Sequence, residues 1–236
     1  MISFIIPAYN EELELSSTLA AIRAAASRAA QPCEVIVVDD ASTDATSEIA
    51  SHAGAQVISV HRRQIAAARN AGARVAQGKY LFFVDADTRI NGMHITEAIA
   101  ALEAGYSGGS ARVITDGFVP LWGRILVRTF CSIYFGLNLG AGAFLFTTRR
   151  NFDAVRGFDE QYFIGEEVYF SLALKKLGRF KLLPEPILTS GRKLRMYSAR
   201  QILANSFTVI LGGPRVARSR AKLHLWYEGK REKRVA

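Results

Sequence analysis

Asp85 and Asp87, separated by one residue, stand directly after the apolar run Tyr80 to Val84 and put two carboxylates at one expected strand end. Such a pair can hold a hard cation such as Mg2+ or Mn2+, whose remaining positions accept phosphate oxygens. Two further polar segments also follow apolar runs. Pro7-Ala8-Tyr9-Asn10-Glu11-Glu12 comes after Ile2 to Ile6, and Asp39-Asp40-Ala41-Ser42-Thr43-Asp44 comes after Val35 to Val38. Ligands of an open parallel sheet bind outside the carboxyl ends of its strands, so the three segments are expected to ring one crevice. Alone, an Asp-X-Asp pair is a weak signal, because acids at loop starts also cap helices or stay solvated. No glycine-rich dinucleotide fingerprint and no lysine-bearing phosphate loop follows the first run. A diphosphate bound here therefore needs another source of neutralising charge, and a divalent cation is the candidate.

The elements that must carry these residues are legible in the pattern. The chain has 236 residues, half of them hydrophobic, enough for one well-buried domain with at most a small appendage. Apolar runs at Ile2 to Ile6, Val35 to Val38, Val57 to Val60 and Tyr80 to Val84 alternate with helical patterns. That order predicts an α/β fold with a doubly wound, parallel sheet whose strands are covered on both faces. Leu15, Leu19, Ile22 and Ala26 form one helical stripe, and Ile65, Ala68, Gly72 and Val75 form another that ends at Gly78. Asp44 is expected to cap a helix running through Ala53 before Gly54. Farther on come an apolar stretch from Phe118 to Phe146, a loop around Gly157-Phe158-Asp159, and a helix from about Glu166 to Lys176 closed by Gly178. Leu203, Phe207 and Ile210 mark a last amphipathic helix, able to pack on the body or rest on a membrane. Thr129 to Thr148 is uncharged and long enough to span a bilayer. Gly136, Gly140, Gly142 and Asn138 argue against that, as does the separation of the acidic clusters it would impose. A buried helix followed by a buried strand around Ala143 to Phe146 is expected instead.

Charge is distributed unevenly. The net charge is +9, yet residues 1–191 carry 18 basic and 19 acidic side chains. In the last 45 residues, 12 Lys and Arg face only Glu228 and Glu232. Such a region suits a membrane surface, a phosphorylated acceptor or nucleic acid, or is a solvated tail. Nucleic acid is disfavoured, because the body is not basic and few aromatics beyond Trp226 and Tyr227 interleave the charges. Cys33 and Cys131 form no disulfide framework or zinc motif. The sequence opens on a strand without a basic leader and apolar core, which argues against secretion and for a cytoplasmic location. His52, His61, His94 and His224 show no ligand spacing and are expected to be solvated or capping.

The segments Ile6-Pro7-Ala8-Tyr9-Asn10-Glu11-Glu12, Val37-Val38-Asp39-Asp40-Ala41-Ser42-Thr43-Asp44, Ala68-Arg69-Asn70-Ala71-Gly72 and Val84-Asp85-Ala86-Asp87-Thr88 resemble, in order and spacing, family 2 glycosyltransferases. The resemblance continues through Gly142-Ala143-Phe144 and Gly157-Phe158-Asp159-Glu160 to Gly165-Glu166-Glu167, most of residues 1 to 180. It implies a GT-A fold with a Rossmann-like, mostly parallel sheet, and inverting transfer of a sugar from a nucleotide-diphosphate sugar with Mn2+ or Mg2+. Residues 1–190 would form the transferase domain, with 1–90 the nucleotide-binding half and 91–190 the acceptor half. Residues 191–236 would form a basic, largely helical extension.

Carried over by position, the resemblance places Pro7, Ala8, Tyr9 and Glu11 in the nucleotide pocket. It makes Asp40 the reader of the base with Asp39 in support, puts Arg69 and Ala86 beside the donor, and gives Asp85 the ribose and Asp87 the cation. Glu167 stands where the family usually has Asp as general base. Its longer side chain keeps the base strength but changes the geometry. Thr189-Ser190-Gly191-Arg192-Lys193 is similar to a Ser-Ala/Gly-Arg-Arg element of some members. Arg192 would assist at the diphosphate or pair with surface acids. The expected acceptor is a saccharide or lipid phosphate, with a membrane's inner face as a peripheral partner and Trp122, Phe130, Tyr134 and Phe135 either lining its pocket or in the core. A non-catalytic nucleotide-sugar binder and a nucleotidyltransferase-like enzyme are the alternatives. The latter usually needs a glycine-rich activation loop that this N-terminus lacks.

Overall fold

A computed structural model describes residues 1–117, 120–220 and 223. Within these bounds the side chains of Phe130, Tyr134, Lys193, Leu203, Phe207 and Ile210 are also outside the description, as are His224, Trp226 and Tyr227 entirely. The chain runs β1 (Ile2–Ala8), α1 (Leu15–Arg28), β2 (Cys33–Asp40), α2 (Thr46–His52), β3 (Gln56–Val60), α3 (Ile65–Val75), β4 (Tyr80–Val84) and β5 (Thr88–Arg89). It continues through α4 (Gly92–Glu103), β6 (Gly108–Thr115), α5 (Leu121–Gly136), β7 (Phe144–Thr148), α6 (Arg149–Ala154), α7 (Glu166–Leu177), β8 (Phe180–Thr189), α8 (Arg192–Met196) and α9 (Ala199–Ala217).

Eight strands form one sheet in the order β3-β2-β1-β4-β7-β6-β8-β5. The four strands read from the apolar runs pair parallel with one another. The sheet is mostly parallel in residues 1–90, as expected, and reverses at β7, which runs antiparallel to both β4 and β6. β5 is likewise antiparallel to β8, whereas β6 and β8 pair parallel across a bulge between Ala111 and Val113. One sheet thus passes through residues 1–90 and 91–190 alike.

Alternation along the strands explains why the runs are continuously apolar. Phe4, Ile6, Val37, Phe82, Phe144 and Phe146 point into a core closed by α1 and α4. Their neighbours Ile5, Ile36, Val38, Phe83 and Leu145 point into a second core under α3, α6 and α7. Phe82 meets Phe4 edge-on on one side, while Phe83 packs against Phe152, Phe158 and Phe170 on the other. Burial on both faces leaves no polar period to read.

Two expected details differ. The second helix begins at Thr46 with Ala45 as its cap, so Asp44 stands one residue too early; its Oδ1 accepts the Thr46 N–H at 3.0 Å instead. Residues 129–148 divide among the end of α5, a loop and β7, and no helix among the described residues is long and apolar enough to cross a membrane. The expected buried helix within residues 129–148 lies largely outside the described side chains, while Leu121, Arg124, Ile125, Arg128 and Thr129 on α5 are exposed. Trp122 and Phe135 are half-buried. His94 accepts the Asn91 N–H through Nδ1 in a capping box, and His52 and His61 are exposed.

α3 lies hard against the sheet because of Gly72. A Cβ there would come within 2.5 Å of Ile5 Cγ2 and 2.9 Å of Val38 Cγ2. This close approach sets the height of Arg69 and Asn70, one turn earlier on the helix. Gly72→Ala is expected to lower the unfolding free energy by about 1–3 kcal/mol through overpacking, measured as a lower urea midpoint at unchanged slope.

Candidate active site

The carboxyl ends of β1, β2 and β4 are stitched together before any ligand is considered. Beyond β1 the chain turns at Asn10 with φ of 52°. The N–H of Asn10 donates to Ser42 Oγ at 2.9 Å and that of Glu11 to Thr46 Oγ1 at 2.7 Å. Asp39 holds the opposite side of this seam by accepting the Ser42 N–H at 3.0 Å. It supports the turn and does not line the cavity described below.

Asp40 anchors the approach to α3. Its Oδ1 accepts the N–H groups of Arg62 and Arg63, each at 2.7 Å, and its Oδ2 accepts that of Gln64 at 2.8 Å. These bonds hold Arg63 in the left-handed region at φ 49°, with its guanidinium 3.2 Å over the Tyr9 ring. A carboxylate oxygen can take two donors, so Oδ2 retains acceptor capacity beyond the Gln64 bond. Sequence reasoning gave Asp40 only the recognition role and missed Arg63, whose placement is conformational and leaves no motif.

Arg69 is 1% exposed and is buried among acids rather than simply lying beside a donor. Its Nη1 donates to Glu166 Oε1 at 2.7 Å, and its Nη2 donates to Asp85 Oδ1 at 2.9 Å and to the Gly142 carbonyl at 2.8 Å. One guanidinium therefore ties α3, the end of β4, the loop before β7 and the start of α7. Glu166 is consequently a buried ion-pair partner, more than an acid favoured by the helix dipole. Asn70, beside it, grips the next loop: its Oδ1 accepts the Phe158 N–H and its Nδ2 donates to the Phe158 carbonyl, both at 2.9 Å.

Glu167 follows at the first turn of α7, behind Gly165 at φ 75°. Enclosure, then the adjacent Glu166, push its carboxyl up to about 8. Asp85 is pushed up to about 6 by enclosure; Arg69 opposes this and Asp87 adds to it. Asp87 is fixed from the C-terminal side. Thr189 Oγ1 donates to its Oδ1 at 3.2 Å and the Ser190 N–H to its carbonyl at 3.2 Å. Arg192 bridges the two strand ends, donating to both oxygens of Glu11 at 2.7 and 2.5 Å and lying 3.3 Å from Asp87 Oδ2.

These groups surround one cavity of about 370 Å3. Pro7, Ala8, Tyr9, Glu11, Asp40 and Arg69 line it, and so do Asp85, Ala86, Asp87, Glu167 and Arg192, leaving Asp39 alone among the expected site residues outside. Phe163 and Ile164, which no motif marked, line it as well, whereas Trp122 and Phe135 do not. Its walls carry six carboxylates against three guanidiniums. No group of three or more His, Cys, Asp or Glu among the described residues forms a complete metal cage. Mg2+ and Mn2+ need less than that when a diphosphate supplies oxygens, since one or two carboxylates then suffice. The all-oxygen donor set that Asp85 and Asp87 present to the cavity fits a hard cation, which Asp87 would hold.

Comparison with known proteins bears on the fold and the family. The undecaprenyl-phosphate 4-deoxy-4-formamido-L-arabinose transferase of Aeromonas hydrophila subsp. hydrophila is 32% identical over 113 residues, 45% of this chain and 35% of that protein. The succinoglycan biosynthesis protein ExoO of Rhizobium meliloti is 28% identical over 203 residues, 81% of this chain and 57% of that protein. The chain thus spans less than two thirds of the length of either relative. Glucosyl-3-phosphoglycerate synthase from Mycobacterium tuberculosis, solved with Mn2+, uridine diphosphate and phosphoglyceric acid, superposes with a TM-score of 0.64 at 18% identity, covering 91% of this chain and 78% of that one. That likeness shows a shared GT-A fold. The profile of glycosyl transferase family 2 matches residues 3–163, well over half of the sequence, and the chain belongs to that family.

Proposed function

We propose that the chain is a cation-dependent, inverting transferase that moves a sugar from a nucleotide-diphosphate sugar to an acceptor. The observation that carries this reading is the meeting of Asp40, Asp87 and Glu167 on one cavity. Tyr9 and Asp40 hold the base, Asp85 meets the ribose, and Arg192 shifts from Glu11 toward the diphosphate. A divalent cation at Asp87 would offset the charge that develops on the leaving nucleotide. In its ionised form, which a carboxyl pushed up to about 8 reaches as pH rises toward that value, Glu167 takes the proton of an acceptor hydroxyl as that oxygen bonds to the anomeric carbon and the bond to the departing diphosphate breaks, a displacement that inverts the centre. Arg69 holds Glu166 and Asp85 and so fixes the start of α7 that carries the base. The solved neighbour from Mycobacterium tuberculosis, with its Mn2+ and uridine diphosphate, supports these ligand classes. The acceptor is a saccharide or a lipid phosphate. The relative named for undecaprenyl phosphate and the 12 basic residues after residue 191 support the lipid phosphate, met by a protein peripheral to the membrane.

Uridine or guanosine diphosphate with Mn2+ is expected to raise the melting temperature by roughly 5 °C at about a hundredfold excess over Kd. Asp87→Asn should remove the part of that shift that needs Mn2+. No shift with either nucleotide, with or without metal, sinks the reading.

Glu167→Gln is expected to lower turnover about a hundredfold or more while the nucleotide-induced shift persists. Near-normal turnover excludes Glu167 as base, and binding without turnover in the unaltered chain, tested on a panel of donors and acceptors, identifies a binder.

The same carboxyl has a stability signature. Its folded value lies above its unfolded one, so the native state holds an extra proton between about pH 4.5 and 8 and loses stability as pH rises through that window. Glu166, Arg69 and Asp85 face it and set the position of the window. Ligand-free Glu167→Gln should therefore melt at or above the unaltered chain at pH 9, and a lower melting point there contradicts a carboxyl held uncharged by its surroundings.

A further inference from the structure

α5 lies at the same end of the strands as the cavity. β4 pairs antiparallel with β7, with Val84 opposite Phe144, and β7 pairs antiparallel with β6. The end of β6 and the start of β7, which α5 connects, therefore both face the Asp85 side. On its way into α5 the chain passes Asp116, whose Oδ1 accepts the Gly191 N–H at 2.9 Å next to the cavity-lining Arg192. On its way out it passes Gly142 and Ala143, which line the cavity themselves.

One face of this helix is turned to solvent although it is rich in large apolar side chains. Leu121 and Ile125 are 70% and 59% exposed, and Leu137, just beyond the helix, is 62% exposed. Leu121, Arg124, Ile125 and Arg128, all exposed, follow the three- and four-residue spacing of a single face. From Gly117 to Phe152 the sequence contains no Asp or Glu, and none occurs between Pro186 and Tyr227. Exposed apolar residues interleaved with arginine and free of acids are the composition of a helix lying in an anionic lipid interface.

We propose that the Leu121–Arg128 face of α5 seats the protein on an anionic membrane surface, with the mouth of the cavity toward the headgroups. The inference rests on the proposed function where it concerns the acceptor, which becomes a phosphate-bearing lipid presented at that surface. The seating itself rests on the exposed face and its charge. Leu121 and Ile125 enter the interfacial layer while Arg124 and Arg128 meet lipid phosphates.

The test is flotation of the full chain with vesicles of phosphatidylcholine alone or mixed with phosphatidylglycerol. The unaltered protein should float with the mixed vesicles, and Leu121→Gln/Ile125→Gln should reduce the bound fraction about tenfold. Arg124→Gln/Arg128→Gln should reduce it by a similar factor and flatten its salt dependence. All three proteins should show the same nucleotide and Mn2+ melting shift, so a failure of donor binding registers separately from a failure of docking. Absence of flotation in the unaltered chain overturns the proposal. So does flotation of both double variants at the unaltered level, which assigns docking to the basic C-terminal residues. A change of oligomeric size in the apolar double variant with flotation intact also overturns it and makes the face a protein contact.

Discussion

The site depends on a guanidinium taken out of water. Arg69 lies beneath the cavity floor, and a charge in that position persists only when oxygen acceptors surround it. Asp85, Glu166 and the Gly142 carbonyl supply them from three separate segments. Removing either carboxylate would leave part of that buried charge without its acceptor. The constraint acts in both directions: the sheet edge and α7 fix the arginine, and the arginine fixes the distance between Asp85 and the acids of α7. Gly72 enters the same chain of cause, because the tight seat of α3 sets the depth to which Arg69 reaches.

Charge on the cavity wall follows from that arrangement. Arg69 compensates the acids it touches, while Asp87 keeps its negative field directed at the open volume and Glu167, its carboxyl pushed up to about 8, adds to that field only once it ionises. Arg192 answers part of that field from the opposite wall, through Glu11 and Asp87. It is a mobile answer in chemical terms, since a guanidinium paired with carboxylates can exchange them for phosphate oxygens of similar geometry. Asp87 then becomes available to a harder partner. The wall thus suits a ligand that brings phosphate and a divalent ion together.

Much of this was legible in the sequence, for identifiable reasons. β1 to β4 and the helices between them were readable because both sheet faces are buried and the runs are uninterrupted. The acids at their ends were readable because strand ends deliver side chains to one crevice. β6 and β8 escaped notice because Gly108-Gly109-Ser110 and Leu183-Pro184-Glu185-Pro186 break up their apolar character. The reversal at β7 was hidden because pairing direction leaves no trace in a short apolar run. The Arg69 and Glu166 pair joins residues 97 apart, and Glu166 carried a sufficient local explanation as an acid at a helix start. Arg63 and Phe163 were invisible for a different reason, since their place in the cavity depends on loop conformation rather than residue type.

The bond between Arg192 and Glu11 closes a loop of 181 residues. Glu11 leaves the ribosome 181 residues before its partner. The first strands can pair and bury their apolar faces while the far wall of the cavity does not yet exist, because long-range closure comes after local assembly. Until Arg192 emerges, Glu11 and Asp87 lack the guanidinium that bridges them in the folded chain. A chain cut off before Arg192 would contain all eight strands of the sheet but an unfinished cavity wall.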